Sequence, residues 1–235
     1  MGCTSSKASY LDISRLKLDQ SWHGMYTSKR IALQNKWILT KLNGFQPVEK
    51  PRLLFTAGAM GSGKTHSLRK LADFIHLDLQ NTLIIDPDKF KDIIPEFENL
   101  KKNNPENAST LVHKESALLS ELTLECALQM KLNTVVDGSL NDWKWYRTEF
   151  QRIRKMYPIY ETIELFLVRA DWQTVLDRAN KRGTETGRII NENVLEETYQ
   201  KIPTAISELE KLVDVVYEVD NNVEPYIQVV RCNVK

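Results

Sequence analysis

Cysteine is scarce in this sequence: Cys3, Cys126 and Cys232 are the three among 235 residues. They are widely spaced and odd in number, which argues against a disulfide framework or a zinc site and for a reducing compartment. Glycine (9) and proline (8) are too few for a collagen-like or low-complexity chain. No apolar run approaches the roughly 18 residues needed to span a bilayer. The first residues lack the apolar core of a secretory signal. Charge of one sign is missing as well. Lysine and arginine (32) balance aspartate and glutamate (31) to a net charge of +1, so no global basic field points to nucleic acid and no such partner is expected. What remains is an ordinary globular mixture, 42% hydrophobic and 27% charged, of a length for one compact domain with an extension.

The opening Met1-Gly2-Cys3-Thr4-Ser5-Ser6-Lys7 fits the N-myristoylation pattern, with a hydroxyl residue at position 6. Cys3, beside Gly2, is placed to take a second acyl chain, which stable anchoring requires. Residues 1–50 hold eight basic side chains against three acidic ones, a surplus that suits an anionic cytoplasmic leaflet. The expectation is an acylation motif over residues 1–7 and a cytoplasmic protein held at a membrane surface.

Residues 8–43 carry leucines, isoleucines and tryptophans at loosely helical spacing, with Gly24 breaking the run into two helices. This half-apolar stretch is expected to pack on the domain rather than face a membrane. A linker containing Pro47 and Pro51 closes the extension at residue 50. From residue 51 to 235 short apolar strands alternate with helices. Strands are expected at 53–57, 82–86, 133–137, 162–168, 213–219 and 226–230. Helices are expected at 64–77, 109–131, 143–157, 172–181 and 193–212. Apolar β-formers separated by helices predict an α/β fold, a parallel sheet sandwiched by helices. Cys126, among Leu122, Leu124, Ala127 and Leu128, reads as a buried thiol.

Gly58-Ala59-Met60-Gly61-Ser62-Gly63-Lys64-Thr65 fits G-x-x-x-x-G-K-[ST] directly after a strand and at the start of a helix. Glycines let the backbone curl its N–H groups toward phosphate oxygens, and the helix N-terminus adds positive potential. Lys64 reaches the β- and γ-phosphates and the Thr65 hydroxyl ligates Mg²⁺. Asp86 and Asp88 follow the second strand across a turn stiffened by Pro87, and ligands in such sheets bind beyond the carboxyl ends of strands. A carboxylate at Asp88 is placed to take the proton of an attacking hydroxyl. Asp137 ends the third strand, where it either holds Mg²⁺ through water or binds a substrate hydroxyl. Arg178, Lys181, Arg182 and Arg188 surround Gly183 and Gly187, the composition of a mobile lid whose guanidinium groups stabilise charge on a transferring phosphoryl group. The basic group Lys144, Arg147, Arg152, Arg154 and Lys155 reads as a solvated helix face.

Together these pieces resemble the zeta-toxin family of P-loop kinases. The resemblance runs from about Leu53 to Asp220. It rests on Gly58–Thr65, on Asp86-Pro87-Asp88-Lys89-Phe90-Lys91 with the downstream Pro95-Glu96-Phe97, on Val136-Asp137-Gly138-Ser139, and on Arg178 with Thr186-Gly187-Arg188. It implies phosphorylation of the sugar 3′-hydroxyl of UDP-N-acetylglucosamine, with ATP or GTP as donor and Mg²⁺ as cofactor. Asp88 is then the base, Lys64 the phosphate lysine, and Arg178 and Arg188 the charge stabilisers. Glu121, Asp137 and Ser139 join Asp88 in binding the sugar nucleotide. The sequence departs from the family prototype in having aspartate for glutamate at position 137 and Asn141 in place of an arginine. The N-terminal 50 residues and the acylation motif also lie outside the bacterial pattern.

Two other readings compete. A polynucleotide or nucleoside kinase needs a basic groove and salt-sensitive strand binding. A nucleotide-binding membrane adaptor has no catalysis to lose. A GTPase switch is not favoured, because no convincing N-K-x-D segment is present.

Overall fold

The computed structural model describes residues 10–15, 17–186, 191–223 and 226–234. Gly2, Cys3 and Arg188 lie outside the described residues. One sheet carries strands β1 (Leu53–Ala57), β2 (Thr82–Ile85), β3 (Asn133–Val136), β4 (Ile163–Arg169), β5 (Val215–Val223) and β6 (Tyr226–Val234) in the order β2-β3-β1-β4-β5-β6. The first five pair in parallel. The β5–β6 pair is antiparallel, a departure from the all-parallel expectation. Only two residues separate these strands, and a parallel return needs a crossover of about a dozen.

Every residue of β1 is buried. Leu53, Phe55 and Ala57 enter one core, while Leu54 enters a second on the opposite face with Val135, Phe166 and Val168. Burial on both faces is why the strands read as unbroken apolar runs rather than alternating ones. The helices on the two faces are α1 (Ser28–Leu42), α2 (Lys64–Leu71), α3 (Pro87–Ile93), α4 (Pro95–Asn103), α5 (Pro105–Leu111), α6 (His113–Gln129), α7 (Trp143–Met156), α8 (Trp172–Thr186) and α9 (Glu192–Leu209). Among the described residues, none is long and apolar enough to cross a membrane.

Several helices differ from the sequence expectation for local reasons. The winding that begins in α2 ends at His76, which adopts φ +53 while the Leu77 N–H closes on the Ala72 carbonyl at 2.8 Å. That is a helix-terminating pattern reached without glycine. The expected helix 109–131 is two, divided at Val112, with α6 ending by the same device at Lys131 (φ +56). α8 runs through Gly183 to Thr186 instead of stopping at Lys181. Asp86-Pro87 is not a free turn. Asp86 is the N-cap of α3, its carboxylate accepting from the Asp88 N–H at 2.8 Å, and Pro87 is at the first helical position, where no N–H is needed.

The N-terminal extension belongs to the core. Gly24 (φ +78) breaks it as expected. Leu11, Ile38 and Leu42 are fully buried in the same cluster as β1, each worth about 2 kcal/mol of apolar burial. Polar contacts fix its position on α6. Arg30 donates a fork to Glu115 at 2.7 Å and another to Glu96 on α4. Cys126 is buried beneath it, and burial pushes its thiol up to about 11. The arginines of α7 are tied down rather than simply solvated: Arg147 pairs with Glu208, Arg152 with Glu149 and Glu125, and Arg154 with Asp214.

Glu125 on α6 joins the two parts. It accepts from Lys17 at 2.5 Å and from the Tyr157 hydroxyl, and pairs with Arg152 at 2.8 Å. Burial works to raise its pKa, but these hydrogen bonds and charges outweigh burial and hold it below the usual carboxylate range. A depressed folded pKa stabilises above the unfolded value and is lost as pH falls through the folded one. Glu125→Gln is therefore expected to cost about 2 kcal/mol at neutral pH. This is less than the roughly 3–5 kcal/mol of a fully buried pair, because Lys17 and Arg152 are 32% and 31% exposed. Urea titrations check it: the gap between wild type and variant should narrow from about pH 5 downward.

Candidate active site

The turn after β1 makes a close-packed cradle. Gly58 and Gly61 have φ +136 and +88. A Cβ on Gly58 would stand 2.4 Å from the Val168 carbonyl oxygen, and one on Gly61 2.6 Å from that of Val175. Strand β4 and helix α8 therefore press directly on the loop, and only glycine fits. The Ser62 N–H closes the turn on the Ala59 carbonyl at 3.1 Å, and Met60 packs against the core at the loop's tip. Gly63 (φ +87) precedes α2, which starts at Lys64.

Lys64 Nζ donates to the Gly58 and Ala59 carbonyls, both at 3.1 Å. Burial lowers its pKa, with Arg182 adding to the effect, while Asp137, Asp88 and Asp86 oppose it. The two strand-end carboxylate groups, 86–88 and 137, thus meet the loop lysine in one electrostatic neighbourhood. Thr65 Oγ1 donates to Asp137 Oδ2 at 3.1 Å. Asp137 Oδ1 accepts from Thr56 on β1, and the same Thr56 oxygen accepts from the Gly138 N–H at 3.1 Å. Thr56 fixes the strand-end carboxylate beside the loop threonine, a role hidden in an apolar strand. Thr65 and Asp137 supply hard oxygen donors, the set that suits Mg²⁺, which typically takes one or two protein carboxylates alongside substrate phosphates.

Asp88 lies in the first turn of α3, paired with Lys91 at 3.0 Å and 40% exposed, open to a substrate. Asp86 is more buried; burial first, then the charges of Asp137 and Asp88, raise its pKa. Lys91, quoted above only as part of a motif, orients the Asp88 carboxylate.

On the other side of the loop, Arg178 of α8 donates to the Asn221 carbonyl at 2.9 Å, and Asn221 Nδ2 donates to the Ser62 carbonyl at 2.8 Å. Asn221, at the end of β5, carried no motif and became visible only through the fold. Arg188 falls outside the described residues, whereas Arg182 acts on Lys64.

The further residues that the resemblance assigns to the acceptor lie on α6 (Glu121) and in the loop after β3 (Ser139). Glu121 Oε2 lies 2.9 Å from His23 Nε2 of the extension. Ser139 Oγ accepts from the Asn141 N–H at 3.3 Å, and Asn141 Oδ1 is buried with no donor among the described residues. Tyr146, which sequence reading missed, reaches this wall: a Cβ on Gly138 would stand 2.9 Å from its hydroxyl. Burial first, then Glu121 and Asp137, push that hydroxyl far up.

The sequence pattern described as Zeta toxin matches residues 35–228. The chain belongs to the zeta toxin family. No curated protein sequence matches it. Among solved structures it is similar to that of the PezAT chromosomal toxin-antitoxin system of Streptococcus pneumoniae, with a TM-score of 0.69 and 14% identity over 87% of this chain and 83% of that one. It is also similar to the AvrRxo1-ORF1:-ORF2 complex with ATP, with a TM-score of 0.64 and 17% identity over 89% and 69%. A candidate kinase from Chloroflexus aurantiacus follows, with a TM-score of 0.56 and 19% identity over 77% and 93%. Identities this low speak for the fold. Zeta toxin membership supports a nucleotide-dependent phosphotransferase of the kinase type.

Proposed function

We propose that this zeta toxin family member moves the γ-phosphate of ATP or GTP to a sugar hydroxyl of a small molecule, UDP-N-acetylglucosamine being the acceptor. The observation that carries the reading is the Thr65 hydroxyl donating to Asp137 at 3.1 Å beside the loop lysine, on which the charges of Asp137 and Asp88 both act. The acceptor oxygen attacks the γ-phosphorus and its proton passes to the Asp88 carboxylate. The bond from phosphorus to the β–γ bridging oxygen breaks, and the nucleoside diphosphate leaves. Lys64 holds the β- and γ-oxygens, and Arg178 and Arg188 neutralise the charge that spreads over the equatorial oxygens. Mg²⁺, held through Thr65 and Asp137, supplies further charge neutralisation when bound. Glu121, Ser139 and Asp137 line the acceptor side, where the Asn141 oxygen awaits a donor.

Labelled Mg-ATP mixed with UDP-N-acetylglucosamine tests the reading. Wild type is expected to label the sugar nucleotide, and Lys64→Ala to lose the transfer. Labelling of RNA ends instead would favour the polynucleotide kinase. Nucleotide binding without transfer to any acceptor would favour the adaptor. We also read Gly2 and Cys3 as acylation sites that hold the protein at a membrane. Gly2→Ala is then expected to shift the full-length protein from the membrane pellet to the supernatant.

A further inference from the structure

The extension places two adjacent aromatic side chains, Trp22 and His23, against α6, and neither belongs to the phosphotransfer machinery described above. His23, the last residue of the short helix Gln20–His23, is 5% exposed. Its Nε2 contacts Glu121, and its Nδ1 is buried with no partner among the described residues. Trp22 stands next to it, edge to face, with ring centroids 4.6 Å apart. Unlike His23, Trp22 is 41% exposed. Its other neighbours are His113, 6.4 Å away at the start of α6, and the Lys114 ammonium, 5.9 Å from the indole centroid. Burial first, then the charge of Lys91, lower the pKa of His113, and Asp88 opposes them. The indole thus stands at the start of α6, and its sequence neighbour His23 contacts Glu121 on the same helix.

We infer that Trp22 and His23 form a wall of the acceptor site, Trp22 as a stacking surface for a flat ring of the acceptor and His23 as a positioning residue that orients Glu121. The inference rests on the proposed phosphotransfer. An exposed indole beside a lysine fits a nucleotide-like acceptor: the base stacks on the ring and the cation faces its phosphates. A half-exposed tryptophan held only for packing would not need a histidine, a second histidine and a lysine around it.

Steady-state kinetics of the full chain with UDP-N-acetylglucosamine test this, using Trp22→Ala, Trp22→Phe and His23→Gln, with folding of each checked by circular dichroism. Trp22→Ala and His23→Gln are expected to raise KM for the sugar nucleotide about tenfold while KM for ATP stays within about twofold. Trp22→Phe keeps a stacking ring, so its KM should stay near wild type, while any tryptophan fluorescence quenching by the sugar nucleotide should weaken. Folded variants with unchanged KM for the sugar nucleotide overturn the inference. So does faster transfer on removing Trp22, which would mean that the segment covers the site instead of lining it. Silence of the wild type toward the sugar nucleotide is a separate result. It overturns the acceptor reading and takes this inference with it.

Discussion

Asp88→Asn is expected to bind Mg-ATP as the wild type does and to transfer phosphate about 10²–10⁴-fold more slowly. The side chain keeps its size, so the first turn of α3 and its N-cap at Asp86 remain. What disappears is the group that takes the acceptor's proton. The carboxylate is suited to that task by where it sits: exposed enough to meet a substrate, and oriented by Lys91 at 3.0 Å. Asp86 does not replace it, because its carboxylate already accepts from the Asp88 N–H and is largely buried. Single-turnover transfer and equilibrium nucleotide binding, measured on the same preparations, separate chemistry from affinity. A variant that transfers within about threefold of the wild-type rate would remove Asp88 from the base role.

That carboxylate also shows which parts of the site were legible in the sequence. The loop Gly58–Thr65 was readable because backbone curvature and a helix start demand fixed residue types at fixed spacing. Strand ends marked by Asp86 and Asp137 were readable because parallel strands buried on both faces are short apolar runs that stop at a polar residue. The helical nature of the Asp88 segment was not. Pro87 reads as the stiffener of a turn, yet it stands at the first position of a helix, as Pro95 and Pro105 do, where proline is at home. Thr56 and Asn221 were hidden for a different reason. Their hydrogen bonds to Asp137 and to the Ser62 carbonyl join residues 81 and 159 positions apart, and no local pattern encodes such a pairing.

The extension shows the same limit. Its helices and its break at Gly24 followed from periodicity and from a residue suited to positive φ. Its seat on α6 follows from contacts made at long range: Arg30 to Glu115, Lys17 to Glu125, His23 to Glu121. All three glutamates lie on one helix within ten residues, so a single docking event satisfies them together. Charge counting over residues 1–50 showed a basic surplus and assigned it to a membrane. The structure pairs two of those basic side chains, Lys17 and Arg30, with glutamates of the protein itself.

Arg178→Ala is expected to lower the rate of transfer about 10³–10⁵-fold, the range for an arginine that stabilises charge in phosphoryl transfer. Nucleotide affinity should change little. The guanidinium is held at the loop by backbone contacts and not by chance of rotamer. It donates to the Asn221 carbonyl at 2.9 Å, and its Nη1 would lie 3.7 Å from a Cβ on Gly63. Its helix leans on the loop as well, with the Val175 carbonyl against Gly61. Arg178→Lys should not restore the rate, because an ammonium is a single point donor where a planar fork spans two oxygens. A purely structural role is separable. Asn221→Ala removes the tie to the Ser62 carbonyl and should raise KM for the nucleotide, whereas Arg178→Ala should act on kcat. Equal effects of the two substitutions on KM, with kcat preserved, would make Arg178 a brace of the loop and leave Arg182, which acts on Lys64, as the next arginine to test in that role.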